Sequence, residues 1–288
     1  MKKKTEKKKT GLIMEGGAMR GLFTCGVMDV LLENDVVFDG GAGISAGAVF
    51  GCNYKSKQIG RPLRYNTRFC KDWRYCSLRS LILTGDLYGA DFCYRIVPYE
   101  LDVFDRRTFS ENPMEFYIGA TDVNTGECIY HRCEKGELED DLWMRASASM
   151  PLVSRIVEAD GYRLLDGGIV DSIPYHYMKE LGFERDVVIL TQPLGFVKQK
   201  NSLLPLMKIL YRKYPKLIEA METRHIRYNR QVEEVRQDEL EGRILVIRPP
   251  EDLHIGKTEK DPDELRRVYE IGRKEAEKRL TEIKEFLK

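Results

Sequence analysis

The sequence predicts an α/β protein built on a mainly parallel sheet. Residues 11–54 alternate short, glycine-rich apolar runs with longer apolar runs at helical spacing, which is the pattern of a βαβα unit. The run Val-Val-Ile-Leu at 187–190 is typical of a parallel strand that is buried on both faces. No internal repeat or Pro/Ser-rich linker interrupts the chain, which favours one domain over residues 11–288.

The first elements follow from where the apolar runs begin and end. Residues 11–15 form an apolar run that leads into two glycines, and this run predicts the first strand. Apolar residues then recur at helical spacing up to about Asn34 and predict the first helix. A second apolar, glycine-rich strand is predicted at 36–44 and a buried helix at 46–54.

The later elements have a less regular pattern. Residues 56–112 are rich in Arg, Tyr and Cys and predict helices and loops that cross over the sheet. Further strands are predicted at 115–121, 127–130, 162–165, 187–190 and 244–247, and further helices at 143–150, within 203–241 and at 263–288. We therefore expect a core over about residues 11–196 and a helical elaboration over about 197–288.

Charge is distributed unevenly along the chain. Residues 1–10 contain six Lys and one Glu and carry +5, whereas 41 basic and 45 acidic residues give residues 11–288 a net charge of −4. The first ten residues are predicted to form a basic, flexible tail, either fully solvated or weakly attracted to anionic lipid. The mildly acidic body argues against a nucleic-acid-binding protein, which would present a basic face.

The expected location follows from hydropathy and cysteine usage. No stretch reaches the roughly 18 uncharged apolar residues of a membrane-spanning helix, and residues 1–10 lack the apolar core of a secretory signal. The seven cysteines are odd in number and contain no Cys-x-x-Cys pair, which fits free thiols in a reducing compartment. We expect a cytoplasmic protein whose only membrane contact is peripheral, at the inner face.

One short segment resembles a metal-binding pattern. Cys128 and Cys133 bracket His131, but no second cluster of ligands completes a tetrahedral site. Ordinary core and surface roles account for these residues. Neither a metal nor an organic cofactor is predicted.

The clearest catalytic signal is Gly-Ile-Ser-Ala-Gly at residues 43–47, which matches G-x-S-x-G. It lies between a predicted strand and a predicted helix. In that context the glycines permit a sharp turn that holds a serine side chain at the carboxyl end of the sheet. Ser45 is therefore a candidate nucleophile, and a tight packing turn of small residues is the alternative.

A serine nucleophile needs donors for the developing oxyanion. The loop Gly16-Gly17-Ala18 lies between a predicted strand and helix, and its backbone amides would face the same sheet edge as Ser45. A dinucleotide fingerprint is the rival interpretation, because the spacing from Gly16 through Ala18 to Gly21 is close to G-x-G-x-x-G and Asp39 follows about 20 residues later. That interpretation leaves Ser45 without a role.

A serine nucleophile also needs a base. The chain offers histidines at 131, 176, 225 and 254, none of them in comparably turn-rich surroundings, and one conspicuous aspartate, Asp166, at the end of a short apolar run before two glycines. An Asp-Gly-Gly sequence is often no more than a turn. At this level both a catalytic and a purely structural role for Asp166 stay open.

Taken together, three motifs resemble the patatin-like phospholipase family, and they look most similar to its bacterial cytoplasmic members. The motifs are Glu-Gly-Gly-Ala-Met-Arg-Gly at 15–21, Gly-Ile-Ser-Ala-Gly at 43–47 and Asp-Gly-Gly at 166–168, in this order and at these separations. Residues 120–127 and 145–151 also look like family segments. The resemblance runs from about Gly11 to the last helix.

The resemblance implies a three-layer α/β/α fold with extra C-terminal helices and a Ser–Asp dyad. Ser45 would be the nucleophile, Asp166 the group that orients and deprotonates it, and Gly16, Gly17 and Ala18 the oxyanion hole. Arg20 matches the basic residue that follows the glycines and would anchor the loop or contact a polar headgroup. The family usually has a third glycine at position 18, where an alanine fits only if its φ is negative.

The implied activity is hydrolysis of lipid carboxylic esters, of the phospholipase A, lysophospholipase or esterase type, through an acyl-enzyme. A catalytically impaired member acting as a lipid-binding or regulatory module is the alternative, and Ala18 is the feature that favours it. Residues 203–217 combine apolar, aromatic and basic side chains. They predict either an interfacial helix or a core-packing helix with a solvated basic face.

Overall fold

The computed structural model describes residues 8–288. Within them one sheet contains the strands β1 (Lys9–Met14), β2 (Gly40–Ile44), β3 (Glu115–Asp122), β4 (Cys128–Arg132), β5 (Val157–Ala159), β6 (Tyr162–Asp166), β7 (Phe183–Ile189) and β8 (Leu245–Ile247). Neighbouring strands follow the order β5-β6-β3-β2-β1-β7-β8, with β4 paired to β3. The strands β3, β2, β1, β7 and β8 are parallel to one another. Strands β4 and β6 are antiparallel to β3, and β5 is antiparallel to β6.

Helices cover both faces of this sheet. They are α1 (Gly21–Glu33), α2 (Ala46–Lys55), α3 (Arg61–Phe69), α4 (Leu78–Thr84), α5 (Arg106–Glu111), α6 (Leu138–Ser147), α7 (Tyr175–Glu180), α8 (Leu204–Leu210), α9 (Pro215–Leu240) and α10 (Pro262–Phe286). Short 3₁₀ turns occupy Ala18–Arg20 and Gly167–Ile169, and Phe92–Leu101 has π-helical hydrogen bonding. None of the helices in the described chain is both long enough and apolar enough to cross a membrane.

The layering follows from the two-residue period of the central strand. Leu12 and Met14 of β1 point into the core shared with α1, α2 and α10, whereas Ile13 between them points into the core shared with α7 and α9. Because alternate side chains of a strand leave opposite faces, both faces of β1 are buried and need a helical layer. The predicted α/β class and the three-layer α/β/α arrangement are confirmed.

Several element boundaries differ from the sequence prediction. The segment 56–112 resolves into α3, α4, α5 and the π-helical stretch, and α6 begins five residues before the predicted helix at 143–150. The short elements β5 and α7 were not predicted, because three to six residues carry too little periodicity. The strand β1 begins at Lys9, inside the predicted tail of residues 1–10, most of which lies outside the described residues.

The last helix is part of the main body of the fold. Helices α1 and α10 approach so closely that a methyl group on Gly26 would overlap the carbonyl of Tyr269, and one on Gly272 would overlap the carbonyl of Phe23. Only glycine permits backbones to approach to this distance. The C-terminal segment is therefore packed directly against the helix that follows the glycine loop.

We expect Gly272→Ala to lower the free energy of unfolding by about 1–3 kcal/mol, because the added methyl must push two backbones apart. The roughly 1 kcal/mol that alanine gains over glycine in a helix offsets only part of the overpacking cost. Urea denaturation followed by circular dichroism measures it. Gly256→Ala is the matched control, since a methyl there meets open space, and equal stability of the two variants would contradict the close-packing argument.

Candidate active site

Ser45 lies on the turn between β2 and α2 and adopts φ 54° and ψ −119°, an uncommon conformation for a residue with a side chain. The two flanking glycines make the turn sterically possible. A methyl on Gly43 would overlap the Gly47 carbonyl, and a methyl on Gly47 would overlap the Met14 carbonyl at the end of β1. Strain of this kind, held by the surrounding packing, is typical of functional turns.

The sheet register brings Asp166 to this turn. Strand β4 pairs with one edge of β3. On the other edge, β2 pairs with residues 115–119 of β3 and β6 pairs with residues 120–122, so β2 and β6 lie end to end. Ile44 at the end of β2 pairs with Gly119, and Asp166 at the end of β6 pairs with Ala120. The carboxyl ends of two strands that run toward each other therefore meet at adjacent positions.

The side chains of Ser45 and Asp166 are in direct contact there. Ser45 Oγ donates a hydrogen bond to Asp166 Oδ2 at 2.8 Å, and the Gly168 amide donates to Asp166 Oδ1 at 2.7 Å. Asp166 is only 7% exposed. Burial raises the pKa of Asp166, against the opposing effects of the Arg224 charge, the Ser45 and Gly168 hydrogen bonds and the Lys257 charge.

Histidine takes no part in this pair. Of the four histidines, all within the described chain, His131 bonds to Asp140 at 2.8 Å, His176 to Glu234 at 2.6 Å, and none bonds to Ser45 or Asp166. The arrangement is a hydroxyl and a buried carboxylate without an imidazole.

The glycine loop packs against Ser45. A methyl group on Gly16 would lie 3.2 Å from Ser45 Cβ. The Gly16 amide donates to the Ser172 carbonyl at 3.2 Å and is therefore already engaged, in contrast to its expected place in an oxyanion hole. Among the described residues the amides of Gly17 and Ala18 have no such acceptor, and Ala18 borders the same cavity as Ser45.

Ala18 has a backbone conformation that is unfavourable for a residue with a side chain. Its φ is 49°, in the left-handed region, so the negative φ that would make an alanine tolerable there is not adopted. The conformation costs an L-residue roughly 1–2 kcal/mol, so the loop must be held by its neighbours. Glu15 supplies such support: its carboxylate accepts hydrogen bonds from the Thr191 amide at 2.5 Å and from the Tyr228 hydroxyl at 2.6 Å.

In the described chain, Arg20 contacts the loop by a hydrogen bond of its backbone and not of its side chain. Its backbone amide donates to the Gly17 carbonyl at 3.1 Å, but its buried Nε has no hydrogen-bond partner within residues 8–288.

The rival dinucleotide-binding interpretation requires Asp39 near the glycine loop, and the structure places Asp39 elsewhere. Asp39 precedes β2, at the amino edge of the sheet, where its Oδ2 accepts from the Thr10 amide at 2.8 Å. The glycine loop lies at the opposite edge.

A largely apolar cavity of about 120 Å³ opens beside Ser45. Apolar side chains line most of it, among them Ala46, Val49 and Phe50 of α2, Val97 of the π-helical stretch, Met144 of α6 and Met150 beyond the end of α6. Arg61 and Asp141 border it as well. The thiol of Cys52 also borders it, and burial raises the pKa of that thiol to about 12, which keeps it neutral. The cavity can hold a hydrocarbon chain with one end at the serine hydroxyl.

The segment flagged for metal binding forms a hydrogen-bonded cluster. His131, Cys133 and Asp140 bring potential ligand atoms within 4.8 Å of one another. The Asp140 carboxylate, however, already accepts from His131 and from the Lys135 and Gly136 amides, and His131 stacks on Trp143. These contacts account for the residues without an ion.

Sequence motifs did not single out Ser147, which holds the turn at Ser45 in place. Its hydroxyl accepts from the Ser45 amide at 2.8 Å and donates to the Gly119 carbonyl at 2.7 Å, so it links the turn, α6 and β3. It lies within the family segment 145–151, and that membership was the one available signal. Its side chain is fully buried.

We expect Ser147→Ala to lower the free energy of unfolding by about 1–3 kcal/mol, because a buried amide and a buried carbonyl lose their partner. Chemical denaturation checks this value. Ser110→Ala, at an exposed position of α5, serves as control and should change stability by less than about 0.5 kcal/mol. Equal effects of the two substitutions would show that Ser147 does not support the turn.

Comparison with known proteins places this geometry in a family context. A family model described as patatin-like phospholipase matches residues 12–179, and a second, described as a domain of unknown function (DUF6363), matches residues 214–288. A patatin-like phospholipase domain-containing protein of Caenorhabditis elegans, ZK370.4, is 28% identical over 200 residues, which cover 66% of this chain and 14% of that protein.

Lysophospholipase nte1 of Aspergillus niger is 28% identical over 188 residues, covering 60% of this chain and 11% of its own length. The chain thus spans only a small part of these relatives. The crystal structure of VipD from Legionella pneumophila aligns with 96% of this chain and 67% of its own, at 13% identity and a TM-score of 0.45.

Proposed function

This chain belongs to the patatin-like phospholipase family, and we propose that it is a serine hydrolase of lipid carboxylic esters. The observation that carries the proposal is the 2.8 Å hydrogen bond from Ser45 Oγ to the buried Asp166, at the mouth of an apolar cavity. The lysophospholipase name of the fungal relatives supports the same substrate class. A phospholipase A, lysophospholipase or simple esterase all fit this site.

In the proposed reaction Ser45 Oγ attacks the ester carbonyl carbon while Asp166 Oδ2 accepts the serine proton. The negative charge that develops on the carbonyl oxygen is held by the amides of Gly17 and Ala18, and one such donor is worth about 2.7–4 kcal/mol. Asp166 then protonates the leaving alcohol, and an acyl-enzyme remains on Ser45. Water, deprotonated by Asp166, hydrolyses it and restores the serine.

The raised pKa of Asp166 supports its role as base. A carboxylate at its ordinary pKa near 3.8 accepts a proton from serine poorly, and the burial that raises this pKa makes the carboxylate a stronger base. The charges of Arg224 and Lys257 act in the opposite direction and favour the ionised form, which is the form that can accept the serine proton.

A catalytically impaired, lipid-binding member is the second candidate. Ala18 favours it, because a positive φ of 49° at a methyl-bearing residue alters the direction of an amide in the proposed oxyanion hole. The apolar cavity would then bind an acyl chain without cleaving it. Reactivity of Ser45 separates the two candidates.

We expect Ser45→Ala and Asp166→Asn each to abolish hydrolysis of p-nitrophenyl butyrate while the circular dichroism spectrum stays unchanged, since one removes the nucleophile and the other the base. A fluorophosphonate probe should label the unmodified protein and not Ser45→Ala. Ser110→Ala is the matched control and should retain full labelling. Full activity of either dyad variant would contradict the dyad, and absence of labelling in the unmodified protein would favour the impaired member.

We also propose a cytoplasmic location with peripheral contact to an anionic membrane. All seven cysteines, which lie within the described chain, are free thiols, and this supports a reducing compartment. Helix α8 buries Leu204 and Met207 against the core but leaves Leu206, Ile209 and Leu210 46–65% exposed. The helix therefore packs one face into the core and leaves an apolar face exposed, which supports the proposed interfacial role.

Basic residues adjoin this exposed face and support an anionic surface as its partner, because Arg212 and Lys213 follow the helix directly and are exposed. We expect the protein to co-sediment with vesicles that contain phosphatidylserine more strongly than with phosphatidylcholine vesicles. Ile209→Asp should weaken this binding severalfold. Equal binding to both vesicle types, or no effect of the substitution, would contradict the proposal.

A further inference from the structure

Four cationic side chains from separate segments interact electrostatically with one another, and two of them, Arg224 and Lys257, also act on Asp166. Arg20 precedes α1, Lys198 follows β7, Arg224 lies on α9 and Lys257 precedes α10. We propose that Lys198, Arg224 and Lys257, with Arg20 beside them, form a binding site for the phosphate of an anionic lipid headgroup, specifically a phosphomonoester. The proposal rests on the proposed function and names the substrate class that the same site would select.

Arg224 is held directly against the dyad loop. Its Nε donates to the Gly168 carbonyl at 2.6 Å, and the amide of the same glycine donates to Asp166 Oδ1. The two terminal nitrogens of Arg224 make no hydrogen bond within residues 8–288. They provide the fork of donors that suits a phosphate oxygen pair.

Lys198 is positioned by α9. Its backbone amide donates to the Asn229 side-chain oxygen at 2.8 Å, and the Asn229 nitrogen donates to the Lys198 carbonyl at 3.0 Å. The ammonium group lies 3.9 Å from the centre of the Tyr228 ring. Tyr228 is also the residue that holds Glu15 under the glycine loop, so the cation is fixed next to the proposed oxyanion hole.

Lys257 stands at the rim of the acyl cavity. Its carbonyl accepts a hydrogen bond of 2.7 Å from the hydroxyl of Tyr88, and Tyr88 lines that cavity. The charge of Lys257 opposes the rise in the pKa of Asp166, so its ammonium group lies within electrostatic range of the dyad.

The electrostatics show that the four charges act on one another. Burial, followed by the charge of Arg224, lowers the pKa of Lys198 to about 8, with Glu15 opposing and Arg20 and Lys257 adding to the shift. Burial and then the charges of Arg224 and Arg20 lower the pKa of Lys257. In the described chain no carboxylate oxygen lies within 4.0 Å of any of the four cations.

Counting charge identifies the class of ligand. Glu15 and Asp166 are the carboxylates that interact with this cluster at longer range. The four cations outnumber these two carboxylates, so the cluster favours a ligand that carries negative charge, such as a phosphomonoester. Like charges held together without a partner are unfavourable, and a bound dianion removes that cost. A zwitterionic headgroup would bring its own cation into the cluster and bind less well.

The position of these residues in the chain makes the inference specific. Lys198, Arg224 and Lys257 all lie beyond residue 179, where the match to the patatin-like phospholipase model ends. Arg224 and Lys257 belong to the segment described as a domain of unknown function. The C-terminal segment would thus supply headgroup selection to a hydrolase core.

The test uses the full-length Ser45→Ala protein, so that ligands are bound without being cleaved. Isothermal titration calorimetry compares monomeric lysophosphatidic acid with lysophosphatidylcholine of the same chain length. Inorganic phosphate and glycerol 3-phosphate are titrated separately. Two lysine pairs are then substituted in the Ser45→Ala protein. The test pair is Lys198→Gln with Lys257→Gln. The control pair is Lys274→Gln with Lys284→Gln, two exposed lysines of α10.

We expect lysophosphatidic acid to bind about tenfold or more tightly than lysophosphatidylcholine, as for hydrogen bonds to charged groups. The Lys198/Lys257 pair should abolish this preference and the Lys274/Lys284 pair should retain it. Equal affinities, or a preference that survives the Lys198/Lys257 changes, would overturn the proposal. Inorganic phosphate binding as tightly as lysophosphatidic acid would overturn the headgroup assignment. The two proposals can fail separately. If the Ser45→Ala protein binds lysophosphatidic acid selectively but the unmodified protein hydrolyses no ester, the proposed function is refuted and the anion site is supported.

Discussion

The site depends on the register in which β2 and β6 pair with the same edge of β3. Strand β2 pairs with the first part of that edge and β6 with the last part, so Ile44 and Asp166 face adjacent residues of β3. A slip of one residue would move every side chain of the strand to the opposite face and separate Ser45 from Asp166. Small residues make the junction possible, because a methyl on Gly167 would overlap the Gly119 carbonyl.

The same junction holds both members of the proposed dyad through their backbones. The Ser45 amide is held by Ser147, and the Asp166 backbone amide donates to the Ser149 carbonyl at 2.8 Å, so α6 and its end support both members. Burial at this position raises the pKa of Asp166, and the cations of the C-terminal segment oppose that rise. The reactivity of the carboxylate is therefore set jointly by the sheet and by the segment that packs over it.

The C-terminal segment is connected to the core by backbone contacts as well as by charge. Strand β8 extends the parallel sheet beside β7, and α10 packs on α1 at the distance that two glycines allow. Helix α9 reaches from this layer to the dyad, where Tyr228 binds Glu15 and Arg224 binds Gly168. One segment thus contributes to the core, supports the glycine loop and brings positive charge to the site.

The sequence by itself determined the features that depend on local stereochemistry. The fold class, the order of the main strands and helices, and the location of the turn at Ser45 follow from periodicity and from glycines at short spacing, and the motif resemblance pointed to Asp166. Short elements such as β5 and α7 escaped prediction because a few residues carry no period.

Only the tertiary structure decided the contacts between distant segments. The engagement of the Gly16 amide by Ser172, the positive φ of Ala18 and the convergence of Lys198, Arg224 and Lys257 have no local signature. Each results from the way in which helices pack against the sheet and bring together residues that lie tens of positions apart. Patterns in the sequence report which face a residue is on, whereas packing decides which distant residue it meets there.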